Sequence, residues 1–213
     1  NALFIKSMTT NKFIVFEGNE GTGKSTHIQS VSEYLKQKNI DHIVTREPGG
    51  TDFGESVREV LLDTNSNFDP LSEAMLFYAS RIFNYNQIIL KALEVGKLVI
   101  CDRFHYSTFV YQGLAENNKK VIDLHNVLDK YFSKKISLII HLDASIETCL
   151  SRISSRKVSD KFERQGKDFL LKIKKSYEEA FIGNTRVKTI MTDNEKNIVW
   201  NNIKNEIDIL LND

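Results

Sequence analysis

The sequence predicts a three-layer α/β fold, a five-stranded parallel sheet flanked by helices. Three observations carry the prediction. The strand-like runs are almost wholly apolar rather than alternating, as in Ile136 to Leu142, which is the pattern of strands buried on both faces. These runs alternate with helix-length amphipathic stretches, the signature of strand–helix–strand units. The sequence also holds only two prolines, Pro48 and Pro70, with no low-complexity segment and no internal repeat, so one domain accounts for it.

Taken in order, Phe13-Ile-Val-Phe is a short apolar run bounded by Gly18 and suits a buried first strand. Ile28, Val31 and Leu35 then recur at helical spacing on one face. Ile43-Val44-Thr45 is β-branched and predicts a second strand. Helices are expected over about 52–62 and 71–95, the latter long. Gly96 signals a turn into a third buried strand, Leu98-Val99-Ile100-Cys101. Helical stretches near 106–112 and 120–133 lead to a fourth strand at 136–142. Helices near 145–155 and 167–182 precede a fifth strand at 187–191, and an amphipathic helix over 198–211 closes the chain. Crossovers of this kind are right-handed. Ligands of such sheets bind beyond the carboxyl ends of the strands, here just after Phe16, Thr45, Cys101 and Leu142.

The composition narrows the functional classes. The 213 residues are 41% hydrophobic and 27% charged, with 29 Lys and Arg against 28 Asp and Glu. A net charge of +1 disfavours a protein that coats nucleic acid, so no nucleic-acid partner is expected. The charge is uneven: Arg152 to Lys175 is basic, its only acids being Asp160, Glu163 and Asp168. Cys101 and Cys149 sit in apolar contexts with no C-x-x-C and no Cys/His cluster. They read as buried free thiols of a reducing compartment, hence a cytoplasmic location. No apolar run approaches the ~20 residues of a membrane span, so no membrane partner is expected. Residues 1–11 read as an N-terminal extension, too weakly patterned for a signal peptide, with Met8 a candidate start. The single domain is expected over 12–213.

The first strand runs into Gly18-Asn19-Glu20-Gly21-Thr22-Gly23-Lys24-Ser25-Thr26. This is G-x-x-x-x-G-K-[ST] between a strand and a helix, the context in which it forms a P-loop. Its glycines let backbone N–H groups turn inward around phosphate oxygens, and the following helix adds its positive end. Lys24 can reach the β- and γ-phosphates, and Ser25 can ligate Mg²⁺. The third strand ends in Asp102, which in a P-loop protein offers the metal a second oxygen donor. Arg103 follows at once, a guanidinium able to fork onto phosphate. An ATP or GTP site is therefore expected. No N-K-x-D guanine-reading element and no L-S-G-G-Q signature occur, which favours a small-molecule kinase.

Three further segments narrow the class again. The second strand leads into Arg46-Glu47-Pro48-Gly49-Gly50-Thr51. The third leads into Asp102-Arg103-Phe104-His105-Tyr106-Ser107-Thr108-Phe109-Val110-Tyr111-Gln112, and the long helix carries Phe77-Tyr78-Ala79-Ser80-Arg81. From about Lys12 to its end the chain resembles the thymidylate kinase family, enzymes that phosphorylate dTMP to dTDP. The resemblance implies a P-loop nucleoside-monophosphate-kinase-like fold, ATP and dTMP as partners, Mg²⁺ as cofactor and a homodimer.

Residue roles follow from the same resemblance. Phe77 would stack on thymine and Arg81 donate to its O4, with Thr108 and Gln112 at the pyrimidine edge. Tyr111 would crowd the 2′ carbon and favour deoxyribose. Arg46, Arg58 and Arg103 would grip the 5′-phosphate, a cluster of cations that implies an anionic substrate. Glu47 would lie near the acceptor sugar, framed by Pro48, and Ser107 falls in the substrate-binding segment. A lid is implied over about 152–166, with Arg152, Arg156 and Arg164 joining Lys24 and Arg103 as catalytic cations. The family's D-R-x-E reads Asp160-Lys161-Phe162-Glu163 here, so a planar fork is replaced by a point charge at Lys161, which leaves open which lid cation meets the transferred group. The five histidines are scattered, in keeping with chemistry that needs no strong base. Two alternatives stay open: a deoxynucleoside kinase with Glu47 as base, and a P-loop switch protein acting through partners.

Overall fold

The computed structural model describes residues 11–155, 161–162 and 165–212. Its elements run β1 (Phe13–Gly18), α1 (Lys24–Gln37), β2 (His42–Arg46), α2 (Asp52–Leu62), α3 (Pro70–Asn84), α4 (Leu90–Glu94), β3 (Leu98–Asp102), α5 (His105–Thr108), α6 (Lys119–Phe132), β4 (Leu138–Asp143), α7 (Ile146–Ser154), α8 (Lys167–Ala180), β5 (Val187–Met191) and α9 (Lys196–Asn212). The strands form one parallel sheet in the order β2-β3-β1-β4-β5. No helix among the described residues is long and apolar enough to cross a membrane.

The wholly apolar strands are explained by two cores. Ile14 and Phe16 of β1 pack with Ile28, Val31 and Leu35 of α1 and with Ile203 and Ile207 of α9. Phe13 and Val15, pointing the other way, pack with Tyr78, Tyr85, Phe104 and Phe132. Side chains alternate across a strand, so a sheet covered on both faces needs apolar residues at every position. Within β1 Glu17 departs from this pattern: it is charged in type yet fully buried.

Two expected helices are not continuous. The long one starts at Pro70, capped by Asp69, whose carboxylate accepts from the Leu71 and Ser72 N–H groups, and it widens into a π-helical segment over Tyr85–Ile89 before α4. The expected 106–112 helix is α5 followed by a π-helical segment over Phe109–Leu114. Inserting a residue into a turn moves those beyond it by about a hundred degrees around the axis, and such bulges frequently mark functional sites.

Histidines scattered in sequence come together in space. His125 stacks on Phe109 with ring centroids 3.9 Å apart and lies 5.3 Å from His105, whose Nε2 is 2.8 Å from Asp129 Oδ1. Burial holds both rings neutral, pushing His105 down to about 4 and His125 to about 3. The unfolded chain protonates its histidines near their ordinary value while the native rings refuse the proton, so stability is lost as pH falls below about 6.5. For His125 the loss at pH 5 is about 2 kcal/mol. His125→Phe is therefore expected to gain that much on the wild type when urea unfolding is compared at pH 7 and at pH 5. An identical difference at both pH values would sink the assignment.

Candidate active site

The loop between β1 and α1 is built for close approach. Gly18 and Gly21 have φ of 146° and 79°. A Cβ at Gly18 would lie 2.2 Å from the Leu142 carbonyl oxygen, and one at Gly21 2.6 Å from that of Cys149. Only glycine fits either place. Thr22 Oγ1 donates to the Asn19 carbonyl (2.9 Å), and Asn19 Nδ2 donates to the Leu170 carbonyl of α8 (2.8 Å). Lys24 Nζ donates to the carbonyls of Gly18 (3.0 Å) and Asn19 (2.9 Å). Its pKa is lowered, first by burial and then by Arg103, so the site favours an added anion. Ser25 Oγ lies 3.5 Å from Asp102 Oδ2, while Asp102 Oδ1 is buried with no hydrogen-bond partner among the described residues. Two adjacent oxygen donors, one of them unmatched, suit a hard divalent cation.

From this loop a cavity of about 700 Å³ extends along the carboxyl ends of β1, β2 and β3. It is lined by Glu20, Gly21, Gly23, Lys24, Ser25 and Asp102 at one end, and by Arg46, Glu47, Pro48, Arg58, Phe77, Arg81, Arg103, Ser107, Thr108, Tyr111 and Gln112 over the rest. Lys24, Ser25 and Asp102, expected at the donor, thus share one space with the expected acceptor residues, while Gly18, Asn19, Thr22 and Thr26 of the loop do not line it.

Arg103 sits where the two ends meet, with a left-handed φ of 65°. Its Nη1 donates to the Gly18 carbonyl (2.9 Å), Ser107 Oγ (3.1 Å) and Tyr177 OH (3.3 Å). Its Nη2 donates to Tyr111 OH (3.3 Å) and pairs with the Glu20 carboxylate. Beneath it Glu17 accepts from the Phe104 N–H (2.9 Å), Ser107 Oγ (2.6 Å) and Tyr177 OH (2.9 Å). Desolvation raises the Glu17 pKa. Arg46 pairs with Glu55 at 2.8 Å, and Arg58 Nη1 donates to the Pro48 carbonyl (3.0 Å).

At the far end Arg81 is fully buried. Its Nε donates to Glu47 Oε2 (2.5 Å) and its Nη1 to Thr108 Oγ1 (2.9 Å), leaving Nη2 as a donor for a ligand. Glu47 Oε1 accepts from Asn84 Nδ2 at 3.2 Å. Glu47, expected beside an acceptor sugar, lines the cavity while its oxygens engage Arg81 and Asn84. Gln112 Nε2 donates to Glu73 Oε2 (2.7 Å), so its carbonyl oxygen is the end left for a ligand.

The expected lid cations divide. Arg152 does not line the cavity; it donates to the carbonyls of Gly21 (3.3 Å) and Thr192 (2.7 Å) and braces the loop from outside. Arg156 and Arg164, with Asp160 and Glu163, lie outside the described residues. Lys161 pairs with Glu73. Sequence reasoning missed Glu17, Glu73, Asn84 and Tyr177. For Glu17 a signal existed, a carboxylate inside an otherwise apolar strand; the others depend on pairings between distant segments.

Comparison with known proteins supplies a family context. The thymidylate kinase family profile matches residues 16–203. A thymidylate kinase of Legionella pneumophila is 39% identical over 206 residues, covering 95% of this chain and 96% of that protein. One from Caldicellulosiruptor saccharolyticus is 37% identical over 204 residues, covering 94% and 97%. The crystal structure of thymidylate kinase from Ehrlichia chaffeensis superposes with a TM-score of 0.73 at 28% identity, covering 92% of this chain and 98% of that one.

Proposed function

The chain belongs to the thymidylate kinase family, and from that membership together with the cavity we propose how its own residues convert dTMP to dTDP. It is a phosphotransferase of nucleotide biosynthesis. The donor in this reading is ATP, held by the Gly18–Thr26 loop, and the acceptor is the 5′-phosphate of dTMP. The observation that carries the assignment is the continuity of one cavity from Lys24 and Ser25, past Arg46, Arg58 and Arg103, to Phe77 and Arg81.

Little covalent chemistry falls to the protein in such a transfer; it positions the phosphates and offsets their charge. The acceptor phosphate is already nucleophilic near neutral pH, so no strong base is required. Arg46 and Arg58 draw the acceptor phosphate in, and Arg103 spans the junction between the two phosphate groups. Lys24 exchanges its two backbone carbonyls for donor-phosphate oxygens. Ser25 and Asp102 would hold Mg²⁺. When bound, that ion neutralises charge on the transferred group. Phe77 stacks on thymine, and Arg81 Nη2 donates to its O4, where cytosine would present an amino donor instead. Gln112 offers an acceptor to the ring N–H. Tyr111 disfavours a ribose hydroxyl. Arg156 and Arg164, by family resemblance, complete the charge neutralisation. A cytoplasmic location fits the two buried free thiols. A homodimer fits the exposed Phe53, Met75 and Phe83 of α2 and α3.

A coupled ADP-release assay with MgATP tests the reading, offering dTMP, dUMP, dCMP, UMP, AMP and thymidine separately. Rapid turnover is expected with dTMP, weaker turnover with dUMP and little with the rest. Turnover with thymidine but not dTMP would reassign the protein as a nucleoside kinase. Release without dependence on any acceptor would remove the acceptor site altogether.

A further inference from the structure

Lys161 occupies the place of the arginine in the family's D-R-x-E segment, within the expected lid. Its ammonium is already matched elsewhere. It pairs with Glu73 of α3, and both side chains are largely buried. Glu73 lies one helical turn before Phe77 and two before Arg81, on the helix face that lines the nucleobase end. The same carboxylate holds Gln112 through its other oxygen. The residue after Lys161 follows it into this end of the cavity. The Phe162 ring is 6.4 Å from that of Phe77 and meets Tyr111 edge-on at 5.7 Å, and it lines the cavity with both. The Lys161 ammonium also lies 5.3 Å from the Phe162 ring centre, so the dipeptide is internally braced.

Resting on the dTMP reading above, we propose that Lys161 and Phe162 belong to the acceptor pocket rather than to the phosphoryl-transfer machinery. Phe162 is a wall of the nucleobase end that sets acceptor affinity. Lys161 is the positioning residue that keeps it there, through Glu73. The charge arithmetic favours this over a phosphate role. Moving Lys161 to the phosphates would leave Glu73 buried without its cation, and a buried charge without its partner is costly. Lysine also lacks the planar fork that makes arginine effective on a phosphoryl group.

The test measures dTMP binding without ATP by equilibrium dialysis, alongside steady-state kinetics, for the wild type, Phe162→Ala, Phe162→Tyr, Lys161→Met and the double variant Lys161→Met/Phe162→Ala. Thermal unfolding of each verifies folding. Phe162→Ala is expected to weaken dTMP about tenfold, as loss of one aromatic contact to a base does, with the KM for ATP unchanged. Phe162→Tyr should restore binding. Lys161→Met should weaken dTMP several-fold while kcat stays within about twofold, and the double variant should bind little worse than Phe162→Ala, because one residue acts through the other. Unchanged dTMP binding in Phe162→Ala would overturn the proposal. So would a Lys161→Met variant that binds dTMP normally but loses kcat by about a hundredfold, since that is the behaviour of a cation on the reacting phosphoryl group. Failure of the wild type itself to bind dTMP would instead overturn the acceptor reading, and this proposal with it.

Discussion

Arg103→Ala is expected to lower kcat/KM for dTMP by about a thousandfold, the size of loss seen when a preorganised charge donor is removed from a reacting centre. Arg103 is the cation with contacts to both halves of the site. It holds the Gly18 carbonyl of the nucleotide loop, and it touches Ser107 and Tyr111 of the acceptor segment. Its removal takes away the guanidinium that pairs with the Glu20 carboxylate beside the place where two phosphates must meet. Arg103→Lys should recover little of this activity. A point charge cannot reach Gly18, Ser107, Tyr111 and Glu20 together, as the planar fork does. Both variants also weaken a largely buried ion pair, so the unfolding curve of each separates lost stability from lost catalysis. Steady-state kinetics with an unfolding curve for each variant decides the matter. An Arg103→Ala enzyme within about tenfold of the wild type would remove Arg103 from the transfer step.

Arg81→Met is expected to destabilise the fold by roughly 3–5 kcal/mol, the cost of breaking a buried ion pair from one side. Glu47 and Arg81 are each about 1% exposed at their side chains, so neither can turn to water when its partner goes. Methionine fills the volume but leaves the Glu47 carboxylate with Asn84 as its remaining side-chain partner among the described residues. Arg81→Met/Glu47→Gln removes the charge left behind and should regain much of the stability. It should not regain preference for thymine over cytosine, because the donor to O4 is absent in both variants. Urea unfolding and the ratio of dTMP to dCMP turnover separate the two effects. A single variant less than about 1 kcal/mol below the wild type would mean the pair is solvated in solution. A double variant that still prefers dTMP would move base reading to another residue, with Gln112 the first to examine.

Much of this site is legible in the linear order because a P-loop is a local object. The glycines at 18, 21 and 23, the lysine and the serine lie within one turn and the start of one helix, and their spacing alone dictates a phosphate cradle. The parallel sheet is legible for a similar reason. Strands buried on both faces must be apolar throughout, and β1, β3 and β4 are, apart from Glu17, the terminal aspartates and His141. Helix boundaries were less legible where π-helical turns interrupt α3–α4 and follow α5. An inserted residue costs little and leaves the hydrophobic pattern nearly intact on either side, yet it rotates everything after it. Tyr111 and Gln112 lie in such a segment.

Residue types and spacing along the chain therefore determined the fold class, the phosphate loop and the identity of the groups offered to each ligand. Tertiary structure decided which of those groups are already matched. Glu47 bonds Arg81 and Asn84, Arg152 braces the loop from outside, Lys161 pairs with Glu73, and Arg103 rests on Glu20 above the buried Glu17. These partners are separated by as many as 131 residues along the chain. A side chain's charge and hydrogen-bonding capacity are fixed by its type, but whether a neighbour engages them depends on distances that only the packed sheet and its helices create.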